Sequence, residues 1–195
     1  MFSSFLDSSP VRFWPLILYI ALTSVAWAQT AEPPPLYEIQ ALVNQKLLPQ
    51  ALEKTDSYIA SKPRDAEGYF MKGVILTEMK RPVEAMAVFV KLTENFPEFP
   101  EPYNNLAVLY AQQKQYDKAL TALEMAIRTR PDYAIAYENL GDLYAKLASQ
   151  AYDKAIQLDA STRTTQTKRA LINELIDQGK ASDPSFRDKP LSASP

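Results

Sequence analysis

Cysteine and histidine are both absent from the 195 residues, and glycine occurs only four times. Without the first two there is no zinc finger, no thiolate or haem-type ligation, no Cys–His nucleophile and no Ser–His–Asp triad. Four scattered glycines leave no phosphate-cradling loop, because G-x-x-x-x-G-K-[ST] and G-x-G-x-x-G both need glycine in a cluster. Surplus charge of one sign is missing as well. The 21 Lys and Arg against 23 Asp and Glu leave −2, too little cationic excess for a sequence-independent grip on nucleic acid. No cofactor, metal or nucleic-acid partner is expected. What remains is an ordinary globular balance of 47% hydrophobic and 23% charged residues, punctuated by fifteen prolines.

The N-terminus reads as a secretory leader over residues 1–28. A polar start is followed by the apolar run Phe13 to Leu22, and Ala26-Trp27-Ala28 supplies the small-x-small pattern of a cleavage site. The competing reading is a retained anchor, but Phe13 to Ala28 is 16 residues interrupted by Pro15, whereas a span needs about 20 apolar residues. Cleavage before Gln29 would deliver a periplasmic or secreted protein. Lipidation at a leader cysteine is excluded, and no Asn is followed by x-Ser or x-Thr.

Beyond the leader a 34-residue period organises the chain. Pro63, Pro97 and Pro131 keep that interval, as do Tyr69, Tyr103 and Tyr137, and Gly73, Ala107 and Gly141. Ala85 with Ala119 and Glu67 with Glu101 repeat it again. Within one unit, Tyr103, Leu106, Ala107 and Tyr110 form one helical face, Gln113 to Gln115 reads as a turn, and Ala119, Ala122, Leu123, Ala126 and Ile127 form a second face. Small residues let two antiparallel helices approach, and the proline stops the second helix.

This unit resembles the tetratricopeptide repeat, W-x-x-L-G-x-x-Y…A-x-x-x-F…P. The match runs Tyr103, Leu106, Ala107, Tyr110, Ala119, Leu123, Pro131; the preceding copy has Lys72 in place of the leucine, and Tyr137-x-x-Leu140-Gly141-x-x-Tyr144 opens the next. The resemblance implies an all-α, right-handed solenoid of antiparallel helix pairs. Its expected organisation is a Pro-rich linker over 29–35, a degenerate repeat over 36–65, full repeats over 66–99 and 100–133, and a shortened repeat over 134–160. A capping helix over 161–179, ended by Gly179, and a disordered tail over 180–195 complete it.

The shortened repeat breaks the rule. About five residues are lost after Tyr144, and Ala145 to Leu158 contains neither Gly nor Pro. Leu140, Tyr144, Leu147, Ala151, Ala155 and Leu158 form one helical stripe, which predicts a single helix from about Tyr133 to Asp159, roughly 40 Å long. The alternative is a hairpin with a cramped turn at Leu147 to Ser149. A continuous helix needs a cover for its second half. Two covers are available: the amphipathic segment Thr165 to Gln178, with Leu171, Ile172, Leu175 and Ile176, or the same surface of a second molecule, giving a homodimer through the long helix.

In the family the first helix of each pair lines a concave groove in which peptides lie. The residues so placed are Glu67, Phe70 and Met71, then Glu101, Asn104 and Asn105, then Glu138, Asn139 and Asp142. Asn105 and Asn139 occupy equivalent slots, where an amide could pair with an extended peptide backbone. The acids outnumber Lys146, which disfavours a carboxylate-gripping clamp and points to a neutral or basic protein or peptide partner anchored on Phe70 and Met71. A solvated, unoccupied face is the other reading. In Glu94 to Pro102, Phe96 and Phe99 read as a staple between repeats, or else as an exposed patch. Catalysis is not expected: both tryptophans lie in the leader, and the acids are spread at repeat spacing rather than converging. The chain therefore reads as a non-enzymatic scaffold or adaptor of the cell envelope. The alternatives are a membrane-tethered assembly factor with its leader retained and a structural dimeric spacer.

Overall fold

A computed structural model describes residues 35–182. The expected leader, most of the linker and the tail beyond Ser182 lie outside that range. Among the described residues the chain forms eight helices and no strands: α1 Leu36–Asn44, α2 Leu48–Ser61, α3 Ala66–Glu78, α4 Pro82–Asn95, α5 Pro100–Gln112, α6 Tyr116–Thr129, α7 Ala134–Leu158 and α8 Arg163–Ser182. Each helix packs on its neighbours in the chain, and α5 also touches α7. The arrangement is a stack of helix pairs.

The turns explain the pairing. Lys46, Lys80 and Lys114, 34 residues apart, each take a left-handed φ of 59° just past the first helix of a pair. At the first, Leu47 N donates to Leu42 O and Lys46 N to Val43 O; the same two bonds recur at Arg81 with Lys80 and at Gln115 with Lys114. This is the Schellman closure, which satisfies the last carbonyls and reverses the chain. Proline then opens α4 and α5 at the first turn, where its missing N–H costs nothing. Asp65 caps α3 by accepting from Glu67 N at 3.1 Å and also accepts the Tyr58 hydroxyl. Burial and that carboxylate push the Tyr58 phenol up to about 12.

Two apolar cores run along the stack. Ile39, Val43, Ala51, Tyr58 and Ile75 join α1 to α3, and a larger set from Phe70 to Leu143 joins α3 to α7. Phe96 and Phe99 pack against the larger core and Pro100 and Pro102 are buried, so the staple reading of this stretch holds.

The fourth turn does not form. The next position in the lysine series is Ala148, which lies inside α7, a single helix of 25 residues. The five lost residues are those that would have made the turn. Nothing remaining favours the left-handed backbone, which costs a non-glycine residue about 1–2 kcal/mol. The hairpin alternative at Leu147 to Ser149 is thus set aside. Helix α8 folds back on α7, with Ser149 Oγ 2.7 Å from Asn173 Oδ1 and Arg169 2.8 Å from Asp153. At the α7–α8 corner, Asp159 accepts from Ser161 N, Ser161 Oγ and Thr162 Oγ1, which holds its carboxyl below the usual range.

Two expectations about α8 need correction. Only Ile172 and Ile176 of its apolar set are half-buried, while Leu171 and Leu175 are 62% and 57% exposed. The helix also runs through Gly179 to Ser182, into residues expected to belong to the tail. Glycine stops a helix when it adopts a left-handed cap, and no glycine among the described residues has positive φ.

Candidate functional site

The expected groove residues lie on α3, α5 and α7, the first helices of their units. The structure divides them into three groups, because stacking the pairs buries some positions that helical spacing alone leaves on the open side.

The first group is core. Phe70 is only 4% exposed, with its ring centroid 5.8 Å from that of Phe89 and 5.4 Å from that of Phe99. Met71 is half-buried against the α1–α3 core. Neither is an open anchor for a partner. The correction has a simple cause: an aromatic at this position reaches the next repeat's staple and gains more by filling the joint than by facing water.

The second group is a polar network across α5, α7 and the loop between α6 and α7. Glu101 is buried, and its Oε1 accepts from Arg130 Nη1 at 2.5 Å. Its other oxygen, Oε2, is buried without a hydrogen-bond partner. The Arg130 guanidinium also lies 5.3 Å over the ring of Tyr133. Burial of Tyr133 lifts its phenol well above the ordinary range, with Glu101 adding and Arg130 opposing. Asn139 Nδ2 donates to the buried Asn104 Oδ1 at 2.7 Å, tying α7 to α5. Asn105 Nδ2 turns back to Glu101 O at 2.9 Å within its own helix. The two asparagines expected to act alike therefore differ, and Glu101 is neutralised rather than presented. Arg130 stands in the sequence only as the residue before the repeat proline Pro131; its 29-residue separation from Glu101 carries no local signal.

The third group faces solvent. Glu67, Glu138 and Asp142 are exposed, as is Lys146. Partial burial raises the Glu67 carboxyl above its ordinary value, and the nearby charges of Glu101 and Asp65 push it the same way. Glu78 is occupied by Lys46 at 2.7 Å. The open surface is thus three carboxylates against one lysine, beside the half-buried Val74 and Val108. Carboxylates spaced along a helical wall can accept hydrogen bonds and attract cations. Among the described residues no group of three or more His, Cys, Asp or Glu could hold a metal ion.

Helix pairs closed by a repeated turn and stacked through two apolar cores have the architecture of a tetratricopeptide-repeat solenoid. Residues 88–121 match a family model described as tetratricopeptide repeat, and residues 109–147 match one described as TPR repeat. The fold aligns with a thermophilic TPR protein of Thermus thermophilus, TTC0263, at a TM-score of 0.53 and 20% identity, over 74% of this chain and 82% of that one. It also aligns with the TPR2B domain of yeast Sti1 in its complex with pHsp70, at 0.52 and 25% identity, over 58% and 93%. In sequence, 83 residues are 37% identical to human protein O-mannosyl-transferase TMTC3, covering 43% of this chain. That match spans 9% of the human protein, so the chain corresponds to a small part of it.

Proposed function

We propose that this chain is a non-enzymatic interaction scaffold that holds a neutral or basic peptide or helix against the acidic wall formed by α3, α5 and α7. The observation that carries the reading is the division of polar groups just described. The part-buried network Glu101–Arg130 and Asn104–Asn139 is used up in fixing α5 to α7 and to the loop before it, while Glu67 of α3 and Glu138 of α7 remain exposed on either side. A rigid wall with outward carboxylates suits a partner bearing N–H donors and positive charge, and steers it electrostatically. The yeast TPR2B domain, named as a complex with pHsp70, supports peptide or protein binding as the use of such a fold. The leader reading over residues 1–28 supports a site of action in the cell envelope.

The test is a peptide array of acidic, neutral and basic twelve-residue sequences probed with the wild-type chain and with the double variant Glu67→Lys, Glu138→Lys. Neutral and basic peptides should be retained by the wild type, and the variant should lose them by about tenfold or more. Preference for acidic peptides, or binding that ignores the reversal, rejects the groove. Glu101→Lys is unsuitable for this purpose, since it would break the ion pair of a buried carboxylate and confuse binding with folding. For placement, mass spectrometry of the N-terminus should find Gln29; an intact Met1 would instead support a tethered assembly factor.

A further inference from the structure

One face of α7 belongs to no element described so far. Tyr137, Gly141, Tyr144, Ala148, Ala151, Ala155 and Leu158 are spaced alternately four and three residues apart, so they form one straight stripe. Tyr137, Tyr144 and Leu158 are 49%, 51% and 76% exposed. In the closed repeats the small-residue slots of this stripe are buried and its tyrosine slots half-buried. A Cβ on Gly73 would collide with the Phe89 ring, but at Gly141, the same slot, a Cβ would meet nothing within 4 Å. Ala148, Ala151 and Ala155 follow Ala119, Ala122 and Ala126 at a constant 29 residues, and those three are core residues of α6. In a closed hairpin the two sets would cover each other. Fusion of the helices leaves both facing outward along one line.

We propose that a second copy of this chain covers the stripe, antiparallel, through a two-fold axis at Ala148. The spacing is self-complementary about that residue: Gly141 and Ala155 lie seven residues to either side, Tyr144 and Ala151 four and three, and Tyr137 and Leu158 eleven and ten. Antiparallel pairing therefore sets Gly141 against the other copy's Ala155 and Ala148 against itself, small on small at close approach, with Tyr144 over the small Ala151 and Tyr137 against Leu158 at the two ends of the seam. The charges agree. Glu138 flanks the first half of the stripe on the side where α8 packs, and Lys168 of α8 lies by the second half on that same side, both exposed, so two-fold pairing brings the acidic end to the basic end. A parallel pair would oppose like charges instead.

Helix α8 adds to the same face. The contacts Ser149–Asn173 and Asp153–Arg169 set an antiparallel register that puts Leu171 level with Ala151 and Leu175 level with Leu147. Helical spacing from Ile172 and Ile176, the face against α7, turns both exposed leucines to the stripe's side of the pair. Two helices, each ~10 Å wide over ~30 Å, give a face of ~600 Å² per copy, or ~1,200 Å² in total. That reaches the lower bound for a specific dimer.

The test is sedimentation of the purified full chain over a micromolar to hundred-micromolar range, with single-cysteine variants for geometry, since the native chain has no thiol. The wild type should dimerise, and Ala151→Glu should weaken the dimer by at least ~100-fold with unchanged helical circular dichroism. A short bis-maleimide should link Ala148→Cys to itself. Tyr137→Cys and Leu158→Cys, which the antiparallel register sets opposite each other, should each fail alone and link when mixed. A monomer throughout the range, or a dimer indifferent to Ala151→Glu, overturns the proposal and leaves the stripe to a different protein. Self-linking of Tyr137→Cys overturns the antiparallel arrangement.

Discussion

Helices α5 and α6 form a closed hairpin, whereas α7 carries the residues of both members of such a pair in one rod. The residues are nearly the same. Tyr103, Ala107 and Tyr110 of α5 recur as Tyr137, Gly141 and Tyr144, and the alanines of α6 recur as Ala148, Ala151 and Ala155. Their environments differ: Ala107, Ala119 and Ala126 are at most 2% exposed and Tyr103 and Tyr110 half-buried, whereas Gly141, Ala151, Ala155, Tyr137 and Tyr144 are exposed and Ala148 is half-buried. The packing pattern thus specifies which residues fit together but not whether they meet within one chain. That is decided by a turn of a few residues. Where Lys114 reverses the backbone, the faces close; where the turn has been lost, they stay open.

The contrast can be broken most strongly at the position where the second helix inserts its bulkiest side chain. Phe89→Ala should cost about 3–5 kcal/mol in urea unfolding, because Phe89 is wholly buried against Phe70 and Gly73 of α3. Tyr152→Ala, in the corresponding slot of the fused unit, should cost under about 1 kcal/mol, as half-buried positions with room to relax do. Equal losses would mean that α7 packs like a closed repeat. Glycine sharpens the same point. Gly73→Ala forces Phe89 to move and should destabilise by about 1–3 kcal/mol, whereas Gly141→Ala has open space and should gain up to about 1 kcal/mol of helix propensity.

The turn itself gives a smaller pair of effects with opposite signs. Lys114→Gly should stabilise by about 1 kcal/mol, since glycine takes φ 59° without steric cost. Ala148→Gly should destabilise by about 1 kcal/mol as a mid-helix glycine. Thermal unfolding of both variants checks the pair. The smallest effect is at Glu67, in the closed part of the molecule. Its carboxyl holds a proton to higher pH in the folded chain than in the unfolded chain. The stability associated with this group is therefore full below the ordinary value of 4.5 and falls as pH rises through the raised folded value. Glu67→Gln should be more stable than wild type at neutral pH, with the gain vanishing in acid; a gain that persists in acid would point away from titration.

The closed repeats and the fused helix could both be read from the sequence, for different reasons. Proline at 34-residue intervals and small residues at Gly73, Ala107 and Ala119 encode local helix pairing. The absence of Gly and Pro from Ala145 to Leu158 encodes continuity. The candidate groove was less legible. Periodicity assigns a residue to a helix face, but Phe70 became core through Phe99, a contact with the next repeat, and Glu101 was neutralised by Arg130 from a loop beyond the next helix. Leu171 and Leu175 were misjudged for a related reason. Four apolar residues over six positions cover too wide an arc for one partner helix, and α7 takes only the Ile172 and Ile176 edge.

The most direct test of the open, fused helix is a distance within one chain. Spin labels at Glu138→Cys and Gln157→Cys, diluted with unlabelled protein so that only intramolecular pairs contribute, are separated by 19 residues. A continuous α7 predicts ~28 Å between the two backbone positions. A separation of ~10 Å, the spacing of packed helices in a hairpin, would contradict it.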